Sequence, residues 1–285
     1  MMDGYINVLK PPGMSSGAVV AIVKRAAREK AGHAGTLDPE AAGVLPVMVG
    51  RATRLFDFLV EKQKTYLAEI AFGAATDTQD AQGTVIETGG RIPSFAAVQA
   101  VLPQFTGTVM QRPPIYSALK QGGQPLYRLA RKGQTADIPA RPIEIMRIDA
   151  LTRTPRNGCL LRVACGRGTY IRTLCHDLGQ ALGCGGCMAA LRRTMAAGFR
   201  IEEAVTLERA QEEREALLLP LDEYFRAYPR FTVQNETQEK RAYNGNAFTA
   251  RGVADGEYRV YDRAGNFLSL SRAEDGELRA IKNFF

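Results

Sequence analysis

The sequence lacks the long apolar segments that define membrane-spanning and secreted proteins. No run approaches the roughly 18 consecutive apolar residues that a transmembrane helix needs. The first residues, MMDGYINVLKPPG, have neither the basic start nor the apolar stretch of a secretory signal. These absences argue against a helical membrane protein and lead us to expect a cytoplasmic one.

Residues that bind metals and cofactors are also scarce. The chain has two histidines and five cysteines, and the cysteines include a single CxxC pair, Cys184 and Cys187. One such pair does not supply the four ligands of a zinc site. The sequence has no P-loop and no Rossmann glycine motif. We therefore expect no cofactor and no metal. The five cysteines should be free thiols, and Cys184 and Cys187 should be small buried residues near the end of a helix.

Charge is distributed unevenly along the chain. The whole sequence has a net charge of +7. Residues 112–200 carry 15 basic and four acidic side chains, whereas residues 1–111 are balanced and residues 201–285 are net acidic. A stretch of one sign repels itself, and a polyanionic partner such as nucleic acid explains it best. A basic face that is only solvated is the competing explanation.

Apolar periodicity and turn residues predict an α+β protein. Ser16 is placed to cap a helix that reaches about Lys30. Further helices are predicted over residues 170–182 and 202–218. Predicted strands cover residues 5–9, 44–49, 65–72 and 160–164.

The same patterns predict two domains. Residues 1–219 read as one large α+β domain, in which residues 111–142 form a basic inserted arm rich in Pro and Gly. Residues 220–228 read as a linker. Residues 229–285 alternate short apolar runs with glycine turns, which is typical of a small β-barrel.

Residues 32–46, which read GHAGTLDPEAAGVLP, are the densest candidate site. Glycines permit tight backbone turns and the close approach of a ligand. Pro39 biases Asp38 towards an extended conformation. An isolated Asp-Pro pair is usually only a turn, so the surrounding residues are what single out Asp38.

This segment resembles the catalytic motif of the TruB family of tRNA pseudouridine synthases, and Asp38 occupies the position of that family's nucleophile. Other stretches agree with the family in the same order along nearly the whole chain. They are KPPGMSS at residues 10–16, KTY at 64–66, GAATDTQD at 73–80, GTYIRT at 168–173 and LRR at 191–193.

The resemblance implies catalytic roles for Asp38, Tyr66 and Arg172. Arg172 would pair with the Asp38 carboxylate and aim it, and Tyr66 would stack on the base or transfer a proton. A core tyrosine and an unpaired helix arginine are the structural alternatives. His33 would fill the space that a flipped base vacates. The full set of expected substrate-binding residues is His33, Tyr170, Leu191, Lys10, Arg128, Arg131 and Lys132.

The implied reaction converts uridine 55 in the T-loop of tRNA to pseudouridine. It breaks the bond from ribose C1′ to N1 and forms one from C1′ to C5, so no redox cofactor or metal is required. The implied fold is a mixed, largely antiparallel sheet with flanking helices and an inserted thumb (residues 111–142), followed by a PUA-like RNA-binding barrel. We expect the T stem-loop of tRNA as partner, no membrane association, no obligate protein partner and a monomer.

Other functions stay open at this point. A guide-RNA-dependent pseudouridine synthase is the nearest alternative, although the thumb-like insertion and the lack of long charged tails argue against it. A non-catalytic tRNA-binding or folding protein would not need Asp38, Tyr66 and Arg172 together. A metalloenzyme using Asp77 and Asp80 lacks further ligands. Whether Asp38 attacks C6, attacks C1′ or assists elimination through a glycal is also open.

Overall fold

A computed structural model describes residues 3–117, 119–130, 133, 137–155 and 157–285. The α-helices are α1 (Ser16–Ala27), α2 (Phe56–Val60), α3 (Phe95–Val101), α4 (Leu126–Ala130), α5 (Ile171–Ala181), α6 (Leu207–Glu212) and α7 (Glu236–Tyr243). The strands are β1 (Gly4–Lys10), β2 (Ala31–His33), β3 (Ala42–Val49), β4 (Lys64–Phe72), β5 (Ala74–Thr76), β6 (Val85–Thr88), β7 (Gly107–Gln111), β8 (Lys120–Gln121), β9 (Gln124–Pro125), β10 (Arg141–Thr154), β11 (Gly158–Cys165), β12 (Gly186–Ala196), β13 (Phe199–Arg200), β14 (Val205–Thr206), β15 (Arg230–Thr232), β16 (Phe248–Thr249), β17 (Gly256–Tyr261), β18 (Phe267–Glu274) and β19 (Glu277–Asn283).

The central sheet has the order β14-β1-β3-β12-β4-β11-β10-β7, with β2 beside β3 and β13 beside β12. Its pairings are antiparallel except β1 with β14 and β3 with β12. This confirms the predicted α+β class with a mixed, largely antiparallel sheet. The parallel contact pairs Arg192 with Ala42 and Arg193 with Gly43, so it brings the end of the glycine-rich loop against β12.

Alternating burial along β4 shows why the sheet can hold a site in its middle. Every second residue from Lys64 to Phe72 is buried, and this alternation is typical of a strand with one covered face. Ala68, Ile70 and Phe72 pack in a core with α3 and α5. Tyr66 belongs to the same inward row, so its ring lies at the edge of this core.

Helix α1 begins one residue earlier than the cap prediction implies. Ser15, rather than Ser16, is the N-cap, and its Oγ accepts a hydrogen bond from the Ala18 amide at 3.1 Å. Ser16 is buried and bonds to the glycine-rich loop instead. The helix also ends early, because Arg28 adopts a left-handed conformation with φ of 55°.

The continuous helix predicted over residues 202–218 is wrong. Val205 and Thr206 form β14, which pairs with β1. The Thr206 hydroxyl then caps α6, which ends at Glu212. Long-range pairing with β1 therefore interrupts a segment whose local pattern favours a helix.

The last residues form a separate curled sheet of order β15-β17-β18-β19-β16, in agreement with the predicted C-terminal β module. The residues before it, Leu221–Phe225, form a 3-10 helix. Leu221 and Phe225 are buried in a cluster that includes Leu59 of α2 and Phe284 near the C-terminus. Within the described residues, no helix is both long and apolar enough to cross a membrane.

Candidate active site

The candidate site is built on the loop that joins β2 to β3 and carries Asp38. Ser16 ties this loop to the start of α1, because its Oγ accepts a hydrogen bond from the Leu37 amide at 2.8 Å and donates to the Leu37 carbonyl at 2.9 Å. Gly43 closes the loop with φ of 115°, and a Cβ there would collide with the backbone of Arg193. The neighbours of Asp38 are therefore fixed by both α1 and β12.

Asp38 faces the guanidinium of Arg172, which comes from the first turn of α5. Arg172 Nη2 donates to Asp38 Oδ1 at 3.3 Å, and Arg172 Nε lies 2.8 Å from Oδ2. The Nε–H is not aimed well enough to form a hydrogen bond, so this second contact is an ion pair. Two guanidinium nitrogens thus face the two carboxylate oxygens and restrict the rotation of the carboxylate.

Backbone carbonyls hold Arg172 in place. Nη1 donates to the Thr78 carbonyl at 3.1 Å, and Nη2 donates to the Tyr116 carbonyl at 3.0 Å. Nη1 also lies 3.8 Å from Oδ2 of Asp80. The arginine side chain is only 6% exposed, whereas that of Asp38 is 36% exposed. The carboxylate is therefore the part of this pair that a substrate can reach.

The electrostatic environment of Asp38 combines opposing effects. Burial raises the pKa of the Asp38 carboxyl above its ordinary value, and Asp80 acts in the same direction. Arg172 is the largest influence lowering that pKa, and Lys10 adds to it. Arg172 thus counteracts the effect of desolvation on the Asp38 carboxyl.

Tyr66 lies on β4 at the border of the site and the core. It is buried, and burial raises the pKa of its hydroxyl, while the Arg193 guanidinium acts in the opposite direction. Asp38 is also close enough to affect this pKa. The structure thus brings Asp38, Tyr66 and Arg172 together from a loop, a strand and a helix.

Arg193 is a site residue to which the sequence analysis gave no role. It is fully buried, and it donates through Nε to the Val44 carbonyl at 2.7 Å and through Nη2 to the Gly35 carbonyl at 2.9 Å. These bonds hold both ends of the Asp38 loop. Its Nη1 has no hydrogen-bond partner within the part of the chain that the structure describes. The sequence could have indicated this position, because Arg193 follows Leu191 by two residues and a strand directs both side chains to one face.

Lys10 is a correction to the sequence-based prediction of substrate contact. Its side chain is 0% exposed. Its Nζ donates to the carbonyls of Pro11, Pro39 and Ala41 at 2.7, 2.9 and 2.7 Å. A fully buried ammonium with three acceptors cannot reach an RNA phosphate. Burial lowers the pKa of Lys10 to about 8.

His33 and Leu191 lie on β2 and β12, which both pair with β3, the strand that follows the Asp38 loop. His33 is half-buried, and its Nδ1 has no partner among the residues that the structure describes. Burial and Arg193 both lower the pKa of its imidazole, which favours the neutral ring. Leu191 is buried in the core that also contains Tyr66. Both side chains are apolar or neutral surfaces suited to a base.

Tyr170 precedes α5 and is held by Gln111 at the end of β7. The Gln111 amide donates to the Tyr170 carbonyl at 3.0 Å and accepts from the Tyr170 amide at 2.8 Å. Arg141 lies over the ring of Tyr170, with Cζ 5.7 Å from the ring centre. The Gln111 bonds hold the backbone of Tyr170, and the residue is half-buried, so part of it stays accessible.

The predicted arm meets the site at its beginning, through the Tyr116 carbonyl that Arg172 binds. Further along, the Tyr127 amide donates to the Ser117 carbonyl at 3.0 Å. Arg128 lies on α4 and is exposed. The other two predicted arm contacts, Arg131 and Lys132, lie outside the described residues.

The cysteines are free and buried, as predicted. Burial raises the pKa of the Cys184 and Cys187 thiols, which makes them poor nucleophiles. Across the described ranges, no group of three or more His, Cys, Asp or Glu side chains could hold a metal ion.

Family models and curated sequences match this chain over most of its length. Residues 23–171 match the model described as TruB family pseudouridylate synthase (N terminal domain), and residues 172–226 match tRNA pseudouridylate synthase B C-terminal domain. The protein named tRNA pseudouridine synthase B from Clostridium kluyveri is 39% identical, over 99% of this chain and 100% of that one. The one from Syntrophomonas wolfei is 41% identical, over 96% of this chain and 94% of that one.

A solved structure shares the fold. The crystal structure of a Cbf5-Nop10-Gar1 complex matches with a TM-score of 0.70 and 27% identity, over 99% of this chain and 85% of that one. This match covers both the central sheet and the C-terminal sheet, which agrees with a catalytic sheet followed by a PUA-like module. The chain belongs to the TruB family of pseudouridine synthases.

Proposed function

We propose that this protein isomerises uridine to pseudouridine at position 55 in the T-loop of tRNA. The observation that carries the proposal is the Asp38 carboxylate, which Arg172 holds at the edge of a buried site that also contains Tyr66. Membership of the family and relatives that are named tRNA pseudouridine synthase B support the choice of substrate.

Asp38 acts as the nucleophile. Its carboxylate is the accessible half of the pair, and Arg172 keeps it charged and oriented. The C1′–N1 bond breaks and a C1′–C5 bond forms. The proton on C5 is lost and N1 gains one, so atoms and electrons balance without an external reductant or oxidant.

The remaining pocket residues receive and hold the base. A uridine must leave its stack to reach Asp38, which costs a few kcal/mol. His33 fills the vacated space as a neutral ring, and Tyr170 and Leu191 form pocket walls. Tyr66 stacks on the base or carries the proton between C5 and N1, since its hydroxyl lies close to both Asp38 and Arg193.

Lysine and arginine side chains of the arm bind the RNA backbone. Arg128 is exposed and lies on a segment whose first residues already contact the site. Arg131 and Lys132 follow three and four residues later in the sequence. Phosphate contacts of this kind position an RNA without selecting its sequence.

The domains divide this work. Residues 1–219 form the catalytic domain with the thumb at 111–142, residues 220–228 form the connection, and residues 229–285 form the PUA-like RNA-binding domain. The separate hydrogen bonding of the central and C-terminal sheets supports this division.

The protein works as a monomer in the cytoplasm without an obligate protein partner. In support, Asp38, Tyr66 and Arg172 meet within one chain. The guide-RNA-dependent alternative is less favoured, because identity is 39% to the Clostridium protein but 27% to the Cbf5 complex. Light scattering of the purified protein, alone and with tRNA, gives its molar mass and so tests whether it is a monomer.

An unmodified tRNA transcript provides the direct test. After incubation with the protein, carbodiimide-dependent primer-extension stops map pseudouridine to single nucleotides. We expect one new stop, at position 55. A second transcript in which cytidine replaces uridine 55 is the control and should give none. Absence of any stop, with an intact protein and without any added guide RNA, would contradict the proposal.

A further inference from the structure

The last turn of α1 and the residues just after it carry a cluster of exposed basic side chains, outside the segment that the charge count singled out. Lys24, Arg25, Arg28 and Lys30 are all exposed within seven residues. They line a shallow groove with a volume of about 490 Å³. The cluster lies within residues 1–111, whose total charge is balanced, so a count along the sequence did not reveal it.

The four side chains of this α1 cluster have no acidic partners in the described part of the chain. Exposed arginines elsewhere are often neutralised, as Arg209 is by Glu213 at 2.7 Å. Among the described residues, no ion pair or side-chain hydrogen bond involves the α1 cluster. Glu29 also lines the groove but pairs with none of the four, so the groove keeps a net positive charge. Such a surface attracts a polyanion.

The position of the α1 cluster relative to Asp38 follows from the helix geometry. Ser16, the first residue of α1, is bonded to Leu37, the neighbour of Asp38. At about 1.5 Å per residue, Lys24 lies about 12 Å along the helix from that point, and Arg28 follows at the C-cap. The cluster therefore lies several nucleotides along an RNA backbone from the loop that carries Asp38.

The face of α1 between the Asp38 loop and the α1 cluster carries small exposed residues. Gly17 and Ala21 are exposed and precede Lys24 and Arg25 at helical spacing, so they share one face of α1. Small side chains leave room for a nucleic-acid backbone to approach along this face.

We propose that the α1 cluster is a second phosphate-binding surface, which contacts the substrate RNA in the stem beyond the modified loop. This rests on the proposed function, because the RNA must be held at Asp38 for its stem to run along α1. The arm and the α1 cluster would then hold the RNA at separate places, and each would contribute its own part of the salt dependence of binding.

The test compares two triple variants with equal loss of charge. The first is Lys24→Ala, Arg25→Ala and Arg28→Ala. The control neutralises three arginines that are each already paired with a carboxylate: Arg51, Arg209 and Arg226. The affinity for unmodified tRNA is measured at four salt concentrations, and thermal unfolding verifies that both variants fold.

We expect the α1 variant to flatten the log–log salt dependence by roughly two to three, at about 0.7–0.9 per lost phosphate contact. The rate at limiting tRNA should fall through KM rather than through kcat. The control should leave both slope and KM close to wild type.

The outcomes separate this inference from the proposed function. If the salt dependence of tRNA binding has the same slope for wild type and the α1 variant, the α1 cluster is not a phosphate-binding surface for this RNA. An acidic protein would then be the partner to consider for the α1 cluster, even if pseudouridine forms normally. A wild-type protein that binds tRNA but forms no pseudouridine would instead refute the proposed function. Equal effects of the two triple variants would also overturn the inference, because net charge alone would then explain them.

Discussion

Replacing Arg172 by methionine removes the partner of Asp38 while keeping a side chain of similar length. The variant loses the hydrogen bonds to Asp38, Tyr116 and Thr78 together with the 2.8 Å ion contact. Removing one partner of a buried pair typically costs about 3–5 kcal/mol. Because Asp38 is 36% exposed, water replaces part of the lost interaction, and we expect a value near the lower end.

This cost is a loss of folding stability. Where the same contacts also stabilise the transition state, losing about 3 kcal/mol there lowers kcat roughly a hundredfold, at about 1.4 kcal/mol per tenfold. The acid limb of the pH–rate profile should also move. Activity needs the Asp38 carboxylate and is lost as the pH falls through its pKa. Arg172 lowers that pKa, so its removal raises it and shifts the limb to higher pH.

Single-turnover rates on an unmodified tRNA transcript across a range of pH measure both effects. Arg172→Lys is the matched control, because it keeps the charge but not the planar fork, and should shift the limb less. A methionine variant with near wild-type kcat and an unmoved acid limb would refute the reasoning that Arg172 acts through Asp38.

Three further substitutions test other parts of the site. Asp38→Asn should abolish product while tRNA affinity stays within about tenfold, because phosphate contacts dominate binding; turnover by this variant, with deamidation excluded by mass spectrometry, would contradict the assignment. Lys10→Met should lower the free energy of unfolding by on the order of 1–3 kcal/mol, since three carbonyls lose their donor. The pKa of Lys10 is about 8 in the folded state and 10.5 ordinarily, so the unfolded chain binds more protons between these values. The wild type should therefore gain stability relative to the variant as pH rises from 8 to 10. Urea denaturation at both pH values measures this, and a stability difference that does not change with pH would contradict it. Gly43→Ala should destabilise the protein by a few kcal/mol, because its φ of 115° and the adjacent Arg193 backbone leave no room for a Cβ; a melting temperature equal to that of wild type would show that the loop can move away from β12.

The local features of this protein were readable from the sequence because neighbouring residues specify them. The alternation in β4 and the turn residues around Asp38 predict a strand and a tight loop without reference to the rest of the chain. The family motif then pointed to Asp38, Tyr66 and Arg172, and the structure brings these three side chains together. The α+β class and the C-terminal β module follow from the same local patterns.

Only the tertiary structure decided where the charges lie. Arg172 reaches Asp38 across 134 residues of sequence, and Arg193 reaches Gly35 across 158. Lys10 has the sequence character of a phosphate ligand, but the fold encloses it and turns it into a clamp on the Asp38 loop. Conversely, Lys24 and Arg28 belong to a segment of balanced charge, and the helix leaves them exposed and unpaired. The sequence specifies which side chains are charged or apolar. Long-range packing decides whether each charge meets solvent, a carbonyl or a carboxylate, because those partners come from strands and helices far apart in the chain.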